Sequence, residues 1–208
     1  MKLIIFGAPG SGKGTQAKVI SEGFNLKRIC LGDILRQEVK KTSDLGQAVK
    51  SYMEKGLLVP DELVLQVIEE YIDASGFILD GYPRNLNQAK ELDAILEKHN
   101  VEINAFIYLD VDEATITDRL SKRRVCKNCH ANYHTESMPP KKEGICDVCG
   151  HELSIRKDDN PETIKKRWQV FINESQKILD FYQAKGKLLT IDGKVDKDHI
   201  FEKIKQSL

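Results

Sequence analysis

The sequence lacks an excess charge of either sign and any apolar run long enough to cross a membrane. Its 32 basic and 32 acidic side chains cancel, so no overall field attracts the chain to nucleic acid or to an anionic membrane. No apolar stretch approaches the roughly 20 residues that span a bilayer. Only Met1, Lys2 and the apolar residues 3–6 precede the first glycine, which is too little for the core of a signal peptide. These absences predict a cytoplasmic protein whose partners include no nucleic acid and no membrane.

Cysteine is also scarce, and internal repeats and low-complexity tracts are absent. Five cysteines in a reducing compartment do not indicate a disulfide framework. Of the 208 residues, 40% are hydrophobic and 31% are charged, as is ordinary for a globular enzyme. This length allows one well-cored domain with insertions, or two small domains.

The most informative segment is residues 7–16, GAPGSGKGTQ, which directly follows an apolar run. A strand that breaks into a glycine-rich loop and then a helix forms a cradle in which backbone N–H groups and the helix dipole face an anion. Lys13 supplies a mobile charge for the β- and γ-phosphates, and Thr15 places a hydroxyl near a magnesium ion. The strict Walker pattern has Ser or Thr directly after the lysine, whereas Gly14 intervenes here, and the alternative is an ordinary glycine-rich turn. The spacing favours binding of a nucleoside triphosphate.

Short apolar runs alternate along the chain with segments of helical periodicity. The runs typical of buried parallel strands lie at 3–6, 76–80, 105–110 and 188–192, with a weaker one at 27–30. The helical patterns lie at 13–23, 34–41, 44–55, 61–73, 87–99, 112–123, 161–185 and 197–207. This alternation predicts a doubly wound α/β fold with a five-stranded parallel sheet and right-handed crossovers. Residues 30–59 and 124–159 interrupt it and are interpreted as insertions.

Four of the cysteines form two Cys-x2-Cys pairs, Cys126 with Cys129 and Cys146 with Cys149, which are sixteen residues apart. Pairs at this distance let four thiolates close a tetrahedral zinc site with Zn–S bonds of about 2.3 Å. Such a site is structural, because four sulfurs leave no position open to substrate. A redox motif or unpaired surface cysteines are the alternatives. A Cys3His site also remains open, because three histidines lie in the same segment: His130, His134 and His151.

Further motifs surround these two features in a fixed order. Asp80 ends the third apolar strand along the chain and is followed by GYPR, and Gln88 comes four residues after Arg84. The motif GDILR at residues 32–36 opens the first insertion. Arginines stand on both sides of the cysteine segment: Arg119, Arg123, Arg156 and Arg167. With these motifs in this order, nearly the whole chain resembles the long-form, zinc-containing bacterial type of adenylate kinase, which has a P-loop NTPase fold.

The resemblance implies a core with two insertions. The core, which includes the phosphate-binding loop, would comprise residues 1–29, 60–121 and 160–208. A helical insertion at 30–59 would bind AMP, and a lid at 122–159 would hold zinc. The implied reaction is Mg·ATP + AMP ⇌ 2 ADP, with Mg²⁺ bound together with ATP and Zn²⁺ serving a structural role. The implied protein is a monomer whose ligands are ATP, AMP and ADP.

The same resemblance implies which residues contact the nucleotides and metals. ATP would be bound by Gly10, Ser11, Gly12, Lys13, Gly14, Thr15, Arg119, Arg123, Asn132, Tyr133 and Val195. The AMP site would comprise Leu31, Arg36, Leu57, Leu58, Val59, Gly81, Tyr82, Pro83, Arg84, Gln88, Arg156 and Arg167. The catalytic residues would be Lys13, Arg84, Arg123, Arg156 and Arg167. Asp33 and Asp80 would hold magnesium through water, and Cys126, Cys129, Cys146 and Cys149 would hold zinc.

The chemistry of the implied reaction requires these residue types. The attacking group is already a phosphate oxygen, so the protein needs no nucleophile of its own. It needs in-line alignment and neutralisation of two polyanions. A lysine and several bidentate arginines meet that need. Water competes with AMP for the γ-phosphate, so a lid that closes over the site is also expected.

Three positions depart from the usual sequence of the family. Cys30 and Leu31 stand where the family usually has Ser-Thr, and Asn85 replaces another threonine, as in the related UMP/CMP kinases. A UMP/CMP or other nucleoside monophosphate kinase is therefore the alternative, against which Gln88 and the long lid argue. A third hypothesis is an ATP-gated zinc-ribbon module that binds nucleic acid or protein. It predicts a basic, aromatic face around the cysteines, whereas Tyr133 is the single aromatic residue of the lid.

Several other charged residues admit simpler interpretations. Arg28 and Arg124 are interpreted as part of the solvated surface, as most single arginines are. Asp158 and Asp159 have three possible roles, as a lid hinge, as groups that orient arginines, or as charges that balance Lys157.

Overall fold

The computed structural model describes residues 1–40, 44–55, 57, 59–69, 71, 72, 75–156 and 158–208. The strands in chain order are β1 (Lys2–Gly7), β2 (Lys27–Cys30), β3 (Phe77–Asp80), β4 (Ala105–Asp110), β5 (Arg123–Cys126), β6 (Asn132–His134), β7 (Leu153–Ser154) and β8 (Leu188–Asp192). The helices are α1 (Lys13–Gly23), α2 (Leu31–Lys40), α3 (Asp44–Glu54), α4 (Asp61–Glu69), α5 (Leu86–Lys98), α6 (Glu113–Ser121), α7 (Pro161–Ala184) and α8 (Lys197–Ser207).

Five parallel strands form the central sheet, in the order β2-β3-β1-β4-β8. Side chains alternate between the two faces along each strand. On β1, Ile4 packs in a core cluster with residues of α5 and α7, while Leu3 and Ile5 pack in a second cluster with α1 and α8. Helices therefore cover both faces of the sheet, and the predicted doubly wound α/β fold is confirmed.

The segment at 124–159 contains secondary structure that the sequence analysis missed. Strands β5, β6 and β7 form a small antiparallel sheet in the order β6-β5-β7. The helix predicted over 112–123 ends at Ser121, and Arg123 already belongs to β5. Strands of two to four residues show too little periodicity to be recognised, so this prediction was wrong at its end.

Side-chain caps fix the first residues of α7 and α8. Asn160 precedes Pro161 at the first turn of α7, and its side chain accepts from the Thr163 N–H. Asp196 caps α8 by accepting from two N–H groups of the first turn. Within the described part of the chain, none of the helices combines the length and the apolar character needed to cross a membrane.

Candidate nucleotide-binding and metal sites

The glycine-rich loop joins β1 to α1 through backbone angles that favour glycine. Gly10 and Gly12 have φ values of +90° and +93°, in the left-handed region that residues with a Cβ rarely adopt. Gly12 is the N-cap of α1, so the N–H groups of the first turn point toward the loop. Lys13 folds back, and its Nζ donates to the Ala8 carbonyl oxygen at 3.2 Å. The loop combines helix-start N–H groups with an ammonium group, as a phosphate cradle requires.

Lys13 lies among other charged groups at the carboxyl end of the sheet. Burial lowers the pKa of Lys13 to about 8. The positive charges of Arg84, Arg167 and Arg123 act in the same direction, whereas the charge of Asp80 opposes them. An anion placed beside this lysine would stabilise its ammonium form, because an opposite charge favours the charged state.

Arginines that are far apart in the sequence converge on the same region. Burial, together with the nearby positive charges of Arg167 and Arg36, lowers the pKa of Arg84 to about 10. Burial also lowers the pKa of Arg156 to about 10, with repulsion from Arg123 and Arg36. Cations that repel one another at this range gain stability when anionic groups lie between them. The structure therefore brings the predicted catalytic arginines and Lys13 together.

Two neighbouring carboxylates hold two of these arginines in place. The side chain of Asp159 is fully buried and accepts from Arg123 Nε at 2.7 Å and Nη2 at 2.5 Å. Asp158 accepts from Arg167 Nη1 at 2.8 Å. Of the three roles left open by the sequence, orientation of the arginines is the one that this geometry supports. Lys157 lies outside the described residues.

The interpretation of Arg28 as a solvated side chain was wrong. Arg28 lies on β2, and its Nη2 donates to Oδ2 of Asp80, at the end of the adjacent strand β3, at 2.7 Å. The Asp80 side chain is only 5% exposed. The pair also packs against the phosphate-binding loop, because a Cβ on Gly14 would lie 3.4 Å from Arg28 Nη2 and 3.5 Å from Asp80 Oδ2. The predicted magnesium-binding carboxylate thus lies beside the loop and is held there by an arginine.

Asp33, in the first turn of α2, forms a second ion pair with Arg36, three residues later in the same helix. Arg36 Nη2 donates to Asp33 Oδ1 at 2.5 Å. Burial would raise the pKa of Asp33, but this contact holds it below its ordinary value. Asp33, Arg36 and Lys40 also act electrostatically on the lid residue His130, whose pKa is lowered mainly by burial. His130 therefore lies within electrostatic range of α2.

The segment after β3 places the predicted acceptor-site residues. The Nε of Arg84 donates to the Gly81 carbonyl oxygen at 2.7 Å, which bends the arginine back toward β3. Tyr82 precedes Pro83 through a cis peptide bond, and its buried hydroxyl donates to the Gln88 carbonyl oxygen at 3.3 Å. The side chains of this segment are thus fixed by contacts within it.

The apolar residues predicted for the acceptor site have different environments. Leu31 and Val59 are buried in the core cluster on one face of the sheet, whereas Leu57 is 43% exposed. Leu58 lies outside the described residues. The departure at Leu31 is therefore accommodated by packing, because its side chain fills the core instead of presenting a hydroxyl group.

Arg119 connects the phosphate-binding loop to the turn between β8 and α8. Its Nη1 donates to the Ser11 carbonyl oxygen at 3.3 Å and to the Gly193 carbonyl oxygen at 2.9 Å. Val195 lies in the same turn and packs against the core. The predicted ATP-side residues of the core, including Thr15 in the first turn of α1, therefore surround one end of the loop.

The two predicted ATP contacts from the lid point in different directions. Asn132 Oδ1 accepts from Arg156 Nη2 at 2.8 Å, which brings it to the arginine cluster. The buried hydroxyl of Tyr133 lies 3.4 Å from Cys146 Sγ and accepts from the Asp147 N–H at 2.8 Å. The Tyr133 side chain therefore supports the cysteine cluster, a role that the sequence analysis missed.

The four predicted zinc ligands form one cluster in the predicted lid segment. Their Sγ atoms all lie within 4.8 Å of one another, and Cys126 and Cys129 lie 3.4 Å from Cys149 and Cys146 respectively. Four sulfurs bound to one zinc ion are separated by about 3.8 Å, so this arrangement fits the ion. A hydrogen bond from the main-chain N–H of His151 helps to lower the pKa of Cys149, which favours the thiolate that a metal requires, whereas burial and hydrogen bonds with the other cysteines raise the pKa of Cys129. No histidine in the described part of the chain joins the cluster, so the Cys3His alternative is not supported.

Known proteins resemble this chain along nearly its whole length. A family model described as Adenylate kinase matches residues 5–187. The chain is 47% identical to the adenylate kinase of Caldicellulosiruptor bescii, over 93% of this chain and 92% of that protein. It is 43% identical to the adenylate kinase of Caldanaerobacter subterraneus subsp. tengcongensis (100% and 96% covered) and 42% identical to that of Clostridioides difficile (100% and 98% covered). The chain therefore belongs to the adenylate kinase family and is a phosphotransferase.

Proposed function

We propose that the cleft transfers the terminal phosphoryl group of Mg·ATP reversibly to AMP, in line and without a covalent intermediate. The observation that carries this proposal is the convergence of Lys13 with arginines that repel one another and are partly buried. Two nucleotide polyphosphates placed end to end supply the negative charge that such a group requires. Because the acceptor phosphate is itself the nucleophile, alignment and charge neutralisation are what the protein contributes.

On the donor side, the N–H groups of residues 10–15 and the Lys13 ammonium bind the β- and γ-phosphates. Arg123, oriented by Asp159, contacts the same phosphates from the lid. Arg119 covers the adenine and Val195 contacts it, and the hydrogen bond from Arg119 to Gly193, in the same turn as Val195, supports these roles. Asn132 and Tyr133 contact ATP from the lid, and the hydrogen bond between Asn132 and Arg156 supports this position for Asn132.

On the acceptor side, Arg36 and Arg84 hold the AMP phosphate, and Gln88 hydrogen-bonds to the adenine. Arg156 and Arg167 lie between the two nucleotides and neutralise the phosphoryl group during transfer. Bidentate guanidinium groups suit this role, because they combine a fixed charge with a geometry that matches phosphate oxygens.

Two metal ions complete the proposal. Asp80 and Asp33 would hold Mg²⁺ through water, and the ion would supply positive charge for the ATP phosphates. The position of Asp80 against Gly14 supports this assignment. The four cysteines hold Zn²⁺ as a structural ion, since four sulfur ligands leave no open position.

We assign the proposed functions to the segments that the sequence predicts. Residues 1–29, 60–121 and 160–208 form the core, 30–59 bind AMP, and 122–159 form the lid. The lid has its own small cluster of buried residues around the cysteines, which supports its movement as a rigid body that excludes water. One chain supplies every proposed contact, so we propose a monomer that binds neither nucleic acid nor membrane. We also propose that it acts in the cytoplasm, where thiols stay reduced.

The test of this function is ADP production from Mg·ATP with AMP, UMP, CMP and GMP as separate acceptors at matched concentrations. We expect a strong preference for AMP. A preference for a pyrimidine nucleotide would assign the chain to UMP/CMP kinase activity, with Asn85 outweighing Gln88. Binding of ATP without transfer to any acceptor would contradict kinase activity.

A pair of adjacent arginines provides a matched test of the lid assignment. Arg123→Ala should lower kcat by about 10²-fold or more, because it removes a charge that acts on the transferring group. Arg124→Ala is the control: its Nη1 donates to the carbonyl oxygens of Ser121 and Arg123, and we expect kcat to stay within about twofold of the parent. Equal effects of the two substitutions would refute the role of Arg123.

A further inference from the structure

The amide of Gln88 is held at both of its polar atoms. Gln88 is only 1% exposed. Its Nε2 donates to Asp61 Oδ1 at 2.7 Å, and its Oε1 accepts from the main-chain N–H of Arg84 at 2.7 Å. Asp61 is the first residue of α4, and Gln88 lies in the first turn of α5, so these two helices meet at this contact.

These two partners allow only one orientation of the amide. An ionised carboxylate only accepts hydrogen bonds, and a backbone N–H only donates them. Rotation of the Gln88 amide by 180° would place Oε1 against the carboxylate of Asp61 and Nε2 against the Arg84 N–H. Both hydrogen bonds would be lost, because one acceptor would face another acceptor and one donor would face another donor, all of them buried.

Asp61 is itself fixed by further donors. Asn85 Nδ2 donates to Asp61 Oδ1 at 2.9 Å and to Oδ2 at 3.1 Å, and Asn87 Nδ2 donates to Oδ2 at 3.1 Å. The other side-chain atom of Asn85, Oδ1, accepts from the Gln88 N–H at 2.8 Å and caps α5. The carboxylate is therefore held by several donors and not by Gln88 alone.

The orientation of this amide decides which purine it can bind. Along its Watson–Crick edge, adenine presents an acceptor at N1 and a donor at the 6-amino group. Hypoxanthine and guanine present the reverse, a donor at N1 and an acceptor at O6. A freely rotating glutamine amide pairs with either pattern, because rotation exchanges its oxygen and nitrogen. An amide fixed in one orientation satisfies one pattern and leaves the other with unpaired polar groups, which is an effective basis for discrimination.

We propose that Asp61 is a specificity-positioning residue, which locks the Gln88 amide in the orientation that accepts AMP and rejects 6-oxopurine nucleotides. Each amide atom retains hydrogen-bonding capacity after its contact with the protein, namely a second N–H on Nε2 and a second lone pair on Oε1. These remaining groups bind the base. The inference rests on the proposed assignment of Gln88 to the acceptor base.

The test compares kcat/KM for AMP and for IMP at saturating Mg·ATP in the parent protein, Asp61→Ala, Asp61→Asn and the control Glu62→Gln. Glu62 is the next acidic residue of α4 and is exposed. We expect Asp61→Ala to reduce the AMP/IMP ratio by about tenfold or more, since one orienting hydrogen bond to a charged group is lost. Asp61→Asn, which keeps the size of the side chain, should reduce the ratio less. The KM for ATP and the ratio in Glu62→Gln should stay within about twofold of the parent.

The Gln88→Ala variant tests the role of Asp61 separately from the proposed assignment of Gln88 to the acceptor base. If Gln88→Ala reduces the ratio but both Asp61 variants keep the parental ratio, the lock is refuted and the assignment of Gln88 stands. If Gln88→Ala leaves the ratio unchanged, Gln88 does not bind the base, and the lock is refuted with it. If the Asp61 variants lose turnover equally with AMP and with IMP, the role of Asp61 is purely structural and the lock is refuted. If Asp61→Ala does not fold, Asp61→Asn decides the question by the same ratio.

Discussion

The ion pair between Arg28 and Asp80 provides a direct measure of how the structure holds its predicted magnesium-binding carboxylate. The perturbation is Arg28→Gln, which removes the guanidinium but keeps a side chain of similar reach. Asp80, at 5% side-chain exposure, then loses its hydrogen-bonded partner in a largely buried position, although the charges of Lys13 and Arg84 still act on it. We expect this substitution to destabilise the protein.

The size of the effect follows from the geometry of the pair. Removing one partner of a fully buried ion pair costs about 3–5 kcal/mol, and a hydrogen bond to a charged group contributes about 1.5–3 kcal/mol. The Arg28 side chain is 27% exposed and the contact is a single 2.7 Å bond. The lower figures therefore apply, and we expect a loss of about 1.5–2 kcal/mol in the free energy of unfolding. For a chain of this size, the loss corresponds to a decrease in Tm of roughly 3–8 °C.

The assay is urea and thermal unfolding followed by circular dichroism, without nucleotide or magnesium. Lys18→Gln is the control, because Lys18 is an exposed lysine whose loss should change stability by less than about 0.5 kcal/mol. A double-mutant cycle with Asp80→Asn isolates the pair, and we expect a coupling free energy of at least about 1 kcal/mol. A coupling near zero, or equal stability of Arg28→Gln and the control, would refute the conclusion that Arg28 holds Asp80.

Three further predictions concern the loop and the lid. The pKa of Lys13 is lowered to about 8 without nucleotide, so ATP binding above pH 8 should be accompanied by uptake of a proton. The Kd for ATP, measured by calorimetry, should therefore rise by nearly tenfold per pH unit between about pH 8 and 10, and Lys13→Met should show no such dependence. Cys146→Ser should abolish zinc binding and lower Tm while leaving kcat nearly intact at low temperature. If the variant folds without metal but has no activity, the conclusion that zinc is purely structural is wrong. Gly10→Ala should lower kcat and destabilise the protein by about 1–3 kcal/mol, because φ at this position is +90° and the added Cβ would lie 2.8 Å from Leu120. Parental kinetics and stability in this variant would contradict the need for glycine at this position.

Local patterns predicted much of this protein because their physical causes are local. The apolar runs identified all five strands of the central sheet, since a strand buried on both faces must be apolar throughout. The glycines and Lys13 lie within one loop, so their spacing was enough to predict a phosphate cradle. The four cysteines likewise lie in two short pairs, and the structure brings their sulfurs together as predicted.

Contacts between distant residues were beyond the reach of the sequence. Arg28 was assigned to the solvent because its sequence neighbours do not show that β2 pairs with β3, and its partner Asp80 is 52 residues away. Nothing in the pattern showed that the Tyr133 hydroxyl contacts Cys146, which is 13 residues away. The sequence pattern assigns no role to Asp61, although it holds Gln88, which is 27 residues away.

The sequence by itself therefore determined the inventory of the site, namely which loop cradles phosphate, which thiols suit zinc and which arginines are available. Only the tertiary structure decided how these groups pair and in which orientation they are held. The reason is that hydrogen bonds and ion pairs depend on distances of about 3 Å, and only the packing of the sheet and helices brings such distant residues that close.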